Sequence, residues 1–210
     1  MFFANFATPI FASHSFPRRE RFGLLIEGEI LLVVAAVAVL SNVTEFRIRH
    51  SASEVVQTAE RTALAQNKNV LVYFHASWCP WCVRFEKLWN DPKFNPTFQE
   101  NYVLAEIDIR ERDELRKNEN PGWEKEMSDL RGAPERDVPY LVVLAPDGKK
   151  LGDSYRPAEG RIPGNAGFPR TSQEIEAFLD LIGKTSHHLP DLSRYELKAY
   201  FELSRLKAHS

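Results

Sequence analysis

The apolar positions of this 210-residue chain follow two periods, and one changes into the other at a single place. Asn69-Val70-Leu71-Val72-Tyr73-Phe74-His75 is a continuous apolar, β-branched and aromatic run, the pattern of a strand buried on both faces. From Val83 the spacing is helical, with Phe85, Leu88 and Trp89 on one side and Arg84, Glu86 and Lys87 on the other. Upstream, Ser51-Ala52-Ser53-Glu54 is a capping-box pattern. Val55, Val56, Ala59, Ala63 and Leu64 then predict the apolar stripe of a helix that ends at Asn67-Lys68-Asn69. Downstream, Phe94 and Phe98 give a short segment a core face, made irregular by Pro96. Tyr102–Ile109 alternates as the next strand.

Residues 110–136 turn charged and polar, with a helix expected across Trp123–Leu130 as a solvated connection. Pro139–Ala145, the turn Pro146-Asp147-Gly148 and Lys150–Tyr155 predict a hairpin, followed by a Pro/Gly loop over 156–170. Thr171-Ser172-Gln173-Glu174 caps a helix with Ile175, Phe178, Leu179 and Ile182 on its buried face. Ser193-x-x-Glu196 is expected to cap a last amphipathic helix that docks on the domain through Leu197, Tyr200, Phe201 and Leu206.

Between the first strand and its helix stand Ser77-Trp78-Cys79-Pro80-Trp81-Cys82. This order puts Cys79 at a helix N-terminus and Cys82 one turn inside. Unpaired backbone N–H groups and a partial positive charge at that end favour a thiolate over a thiol, drawing a cysteine pKa down from about 8.5 toward neutrality or below. Cys79 is thus expected to be the attacking, partly exposed sulfur, and Cys82 the buried sulfur that resolves a mixed disulfide. Pro80 suits the first helical turn, where its missing N–H costs nothing. Trp78 and Trp81 are expected to form an apolar apron around Cys79, and Trp89 to be core. Two thiolates leave a zinc ion short of its usual four ligands. The pair reads as redox-active; a copper(I) carrier is the alternative, since two soft sulfurs bind that ion.

Trp-Cys-x-x-Cys after an apolar strand resembles the thioredoxin superfamily, and the resemblance covers roughly residues 53–185. It extends to Val138-Pro139, which matches the cis-proline that faces the cysteine pair in that family and leaves a backbone edge for a substrate peptide. The resemblance implies an α/β fold: a three-layer α/β/α sandwich with a mixed central sheet, carrying an N-terminal hydrophobic extension and an extra C-terminal helix. It implies a thiol–disulfide oxidoreductase, a reductase first and a disulfide-forming oxidase second. Cys79 and Cys82 would be catalytic, and Trp78, Pro80, Trp81, Val138 and Pro139 would contact substrate. Protein thiol or disulfide clients and a membrane or soluble electron donor are the expected partners, with no cofactor. The dipeptide Pro80-Trp81 is closer to glutaredoxins, whereas Trp78 before the first cysteine is thioredoxin-like. Two positions depart from the family: Tyr73 stands where thioredoxins commonly bury an aspartate, and Leu104 lies near the place of its lysine neighbour. Glu86, one turn after Cys82, reads as a solvated helix-face residue, and His75 as a packed or surface histidine.

Composition adds bounds. A formal charge of −2 gives no electrostatic reason to expect nucleic acid. The only two cysteines are those of the motif, so the fold stands on packing without a structural disulfide. The chain divides into an extension at 1–50, a domain at 51–186 and an appended helix at 187–210. Within 22–42, Ile30–Leu40 is an unbroken apolar run preceded by Arg18, Arg19 and Arg21. It is readable as an export signal with Ala36-Val37-Ala38 as cleavage site, as a membrane anchor, or as a buried helix or strand. The first two place the domain in the periplasm or on a membrane, the last in the cytoplasm.

Overall fold

The computed structural model describes residues 49–131, 137–156 and 164–207. The apolar run at 30–40, with its signal, anchor and core readings, lies outside the described residues. Among those described, no helix is long and apolar enough to cross a membrane.

Helix α1 (Ala52–Gln66) starts at the expected capping box: the Ser51 hydroxyl accepts from the Glu54 N–H, and the Glu54 carboxylate accepts from the Ser51 N–H. It stops at Asn67, whose φ of 53° is left-handed. Its buried face is Ala52, Val56, Ala59 and Ala63. Leu64, expected on that face, is 70% exposed, because the residue after Ala63 is turned a quarter of the way round the helix.

Strand β1 (Asn69–His75) is buried throughout. It sits inside a four-stranded mixed sheet with β2 (Tyr102–Asp108), β3 (Tyr140–Leu144) and β4 (Lys150–Asp153), ordered β2-β1-β3-β4. β1 runs parallel to β2, with Val72 opposite Ala105, and antiparallel to β3, with Val72 opposite Val142. The parallel pairing requires a crossover, which holds α2 (Pro80–Trp89) and α3 (Asn95–Asn101). Alternation along β1 divides the core. Leu71 and Tyr73 join a cluster with Phe85, Phe98, Phe178 and Phe201; Val70, Val72 and Phe74 join another with Val56, Ala59 and Met127. These clusters are the two interlayers of an α/β/α sandwich. One outer layer is α1 with α4 (Trp123–Arg131), and the other is α2, α3, α5 (Ser172–Thr185) and α6 (Asp191–Lys207).

Four local expectations need correction. The hairpin strand divides at Ser154, which bonds Leu141 through its N–H and hydroxyl and donates to Asn165 Oδ1 at 2.6 Å. The chain then leaves the sheet, and β5 (Tyr155–Arg156) pairs with β6 (Gly164–Asn165) in a ribbon of its own. The charged connection holds a 3₁₀ turn (Asp113–Asn118), but α4 is packed rather than solvated, with Met127 1% exposed. Helix α6 begins at Asp191, behind Pro190, so Ser193 lies inside it and its hydroxyl faces Thr97. That register buries Leu197 and Phe201 but leaves Leu206 58% exposed.

Candidate functional site

The site is assembled where β1 ends. Cys79 is the N-cap of α2: its backbone is extended (φ −86°, ψ 113°), and its sulfur accepts from the Cys82 N–H at 3.3 Å. Pro80 follows in the first turn. The turn before Cys79 is held by Glu111, a residue absent from the sequence reading. Its carboxylate accepts from both the N–H and the hydroxyl of Ser77 at 2.6 Å, and Glu111 itself is 4% exposed. The Trp78 indole donates to the Arg110 carbonyl at 2.7 Å, and the Arg112 guanidinium lies over its ring at 4.2 Å. The charged connection therefore braces the redox turn.

Both cysteines are free thiols, hydrogen-bonded to each other. The bond from Cys82 is the largest influence on Cys79 and, with the N–H groups of Cys82 and Trp81, draws its pKa down to about 6. Burial and the Glu86 charge oppose this. The same bond, followed by burial, pushes the Cys82 thiol far up, so it keeps its proton. Against expectation Cys79 is not partly exposed: it is 2% accessible. Its thiol contacts the Val138 carbonyl at 3.4 Å, and the Val138–Pro139 bond is cis. The substrate edge expected at Val138 and Pro139 thus lies directly on the sulfur and covers it.

Behind Cys82, the family's aspartate position is filled by Tyr73, fully buried. Its hydroxyl is 3.1 Å from the Cys82 carbonyl and 3.3 Å from Glu86 Oε1, and it also bonds the Cys82 thiol. Burial, then the neighbouring Cys82 and Glu86, pushes the Tyr73 phenol far up. Glu86 is therefore drawn into the site and is not merely a solvated face residue. His75 stacks on Tyr73, ring centroids 4.6 Å apart and 9° from parallel. Its Nε2 is 3.2 Å from Asp108 and 3.3 Å from Glu106, and its Nδ1 is 3.6 Å from Glu86. The nitrogens of this buried ring have no hydrogen bond. His75, Glu86 and Glu106 offer ligand atoms within 4.8 Å of one another, an arrangement able to hold a divalent cation, and it does not include the cysteines. Leu104 packs against the core and contributes no charge.

On the other side, Trp81 faces Phe168 at 6.0 Å, with the guanidiniums of Arg84 and Arg170 over its ring at 4.7 and 5.2 Å. The expected apolar apron is thus aromatic with a cationic rim. The loop carrying Phe168 is clamped to the proline. Asn165 Nδ2 donates to the Pro139 carbonyl at 2.7 Å, and a Cβ at Gly167 would lie 1.8 Å from that oxygen. Only glycine fits there.

Residues 53–146 match a protein-family model described as thioredoxin-like. No curated protein sequence matches the chain. Among solved structures, the chain is similar to a disulphide isomerase from Xylella fastidiosa Temecula1, at 16% identity and a TM-score of 0.41 over 75% of this chain and 96% of that one. It is similar to a thioredoxin from Thermus thermophilus at 19% identity and a TM-score of 0.36, covering 60% and 80% respectively. For the C-terminal domain of DsbD from Neisseria meningitidis, in the oxidised form, the identity is 20%, the TM-score 0.36 and the coverage 50% and 84%. The stretch matched by the thioredoxin-like family model carries the cysteine pair together with the strands β1, β2 and β3 that mount it.

Proposed function

We propose that the chain is a thiol–disulfide oxidoreductase that reduces protein disulfides. The observation carrying this reading is the Cys79 sulfur at the N-cap of α2, accepting from the Cys82 N–H and hydrogen-bonded to the Cys82 thiol, contacts that draw its pKa down. Cys79 thiolate attacks one sulfur of a client disulfide; that bond breaks, and the leaving sulfur departs as a thiolate that takes a proton from solvent. Cys79 is then covalently linked to the client and no longer charged. The hydrogen bond that most strongly held the Cys82 proton is gone at that moment. Tyr73 lies between the Cys82 thiol and Glu86, so it passes the proton outward to that carboxylate. Cys82 attacks the Cys79 sulfur and releases the second client thiolate. The client has gained two electrons, and the chain holds a Cys79–Cys82 disulfide that an electron donor must reduce.

A Cys79 pKa of about 6 favours the reductive direction. It lies nearer the value of about 7 of a reducing thioredoxin than the value of about 3.5 of a strong oxidant, whose thiolate is held too firmly to give electrons away. The cover that Val138 gives the sulfur favours a client able to bring its own backbone to that edge. The run at 30–40, read as signal or anchor, would carry the domain to the periplasm or a membrane surface, where a membrane donor would supply the electrons.

The test is reduction of insulin by the wild-type chain and by Cys79→Ser and Cys82→Ser variants. The wild type turns over, Cys82→Ser accumulates mixed disulfides, and Cys79→Ser does neither. Turnover unaffected by both substitutions would remove the redox reading. Stoichiometric copper(I) binding without turnover would replace it with a carrier.

A further inference from the structure

We propose that the cleft beside Trp81 docks an acidic segment of the client, a stretch bearing aspartate or glutamate close to the cysteine under attack; this rests on the thiol–disulfide reading above. The cleft has a volume of about 360 Å³ and is walled by Trp81, Arg84, Phe168, Arg170, Ser204 and Arg205. Three separate parts of the chain meet in it: the dipeptide between the cysteines, the loop clamped to Pro139, and the last turns of α6.

Charge carries the argument. The whole chain is slightly acidic, with 27 Lys and Arg against 29 Asp and Glu, yet this wall presents three arginines. Arg205 is paired with Glu202 at 2.8 Å. Arg84 and Arg170 have no carboxylate within ion-pair distance among the described residues, although Arg49 and Arg194 elsewhere on the surface do. Each is held instead over the Trp81 ring. Stacking on an indole satisfies the face of a guanidinium and leaves its in-plane N–H groups free for the two oxygens of a carboxylate. Across Cys79, Arg112 over Trp78 repeats the arrangement.

Position supports the same partner. The neighbour of Phe168 is Gly167, whose backbone touches the Pro139 carbonyl, and Val138 contacts the Cys79 sulfur. A peptide lying along that edge to reach Cys79 has the cleft alongside it. The aromatic floor receives its apolar atoms and the guanidiniums of Arg84 and Arg170 its acidic ones. The appended helix thereby has a task beyond packing, because Ser204 and Arg205 close the wall.

The experiment compares synthetic peptides that carry one disulfide and equal length, flanked by acidic, neutral or basic residues. At low ionic strength, wild-type kcat/KM is expected to favour the acid-flanked peptide over the neutral one by about tenfold, the sum of two exposed pairs of about 0.7 kcal/mol each. The ratio should fall toward one at high salt. It should invert in favour of the basic peptide in an Arg84→Glu, Arg170→Glu double variant, with Arg84→Gln, Arg170→Gln as the milder pair should the first not fold. Equal turnover of acidic and neutral peptides by the wild type would overturn the docking site and leave the redox reading intact. Failure to reduce any peptide would strike the redox reading instead. Docking is then decided separately by anisotropy of a labelled acidic peptide with serine in place of cysteine: tighter binding than its neutral counterpart upholds the site, and equal binding overturns it.

Discussion

Replacing Cys82 by alanine is expected to raise the pKa of Cys79 by about 1–2 units. The Cys82 thiol is the largest influence holding Cys79 down. A hydrogen bond to a charged group is worth about 1.5–3 kcal/mol, and each pKa unit is 1.36 kcal/mol. The midpoint therefore moves from about 6 to about 7–8. It stops short of an ordinary cysteine because the N–H groups of Cys82 and Trp81 still point at the sulfur. Cys82→Ser keeps a donor and is expected to move the midpoint less. Reactivity at one pH would be a poor reporter. At pH 7 a thiol of pKa about 6 is about 90% ionised against about 3% for a free cysteine, a gain of about thirtyfold. The weaker nucleophilicity of the more acidic thiolate removes about 10–20-fold of it. The assay is therefore thiolate absorbance in the ultraviolet followed across pH. In the wild type a single step is expected, because Cys82 holds its proton far beyond it. An unchanged midpoint in Cys82→Ala, or equal shifts with alanine and serine, would refute the reasoning.

Three further outcomes are expected. Tyr73→Phe removes a buried hydroxyl bonded to the Cys82 carbonyl and near Glu86. It should cost about 1–2 kcal/mol in urea unfolding and slow the release of client from the mixed disulfide more than its formation, as rapid quench would show. Gly167→Ala places a Cβ where the Pro139 carbonyl oxygen stands, 1.8 Å away; overpacking of this kind costs about 1–3 kcal/mol, and insulin reduction should fall as the proline edge moves. Phe201→Ala empties a fully buried position with rings of Phe168 and Phe178 at 5.4 and 5.0 Å. A loss of about 3–5 kcal/mol is expected in the urea midpoint, and an unchanged midpoint would mean that α6 is not part of the cooperative fold.

What the sequence made legible was what local physics decides. Both capping boxes, the buried strand Asn69–His75 and the cysteine pair at a helix start each follow from a few adjacent residues and lie where expected, whereas the cis bond at Pro139 was implied by the family resemblance alone. The errors arose where a local pattern met tertiary context. Ser193-x-x-Glu196 has the form of a cap, but the helix had already begun behind Pro190. The residues missed at the site act over distance: Glu111 braces Ser77 from 34 positions away, and Asn165 reaches Pro139 from 26. Glu111 gave one faint sign, a carboxylate just after an apolar strand. Glu86 carried no sign that it would converge on Tyr73, because that depends on how α2 lies on the sheet; His75 shares a face of β1 with Tyr73, but the acidic groups Glu106 and Asp108 around it come from β2. Burial of Cys79 could not be read from its neighbours either, since its cover comes from Val138.

Helix α2 is tethered at its first turn by the sulfur that the proposed function makes the reacting atom. As a thiolate, the Cys79 sulfur is a good acceptor for the Cys82 amide; joined to another sulfur, it is a poor one. In the proposed cycle each turnover would therefore loosen and remake the end of α2, recording the oxidation state in backbone protection as well as in sulfur. Exchange of the Cys82 amide with deuterated water should quicken when the disulfide forms and slow again on reduction.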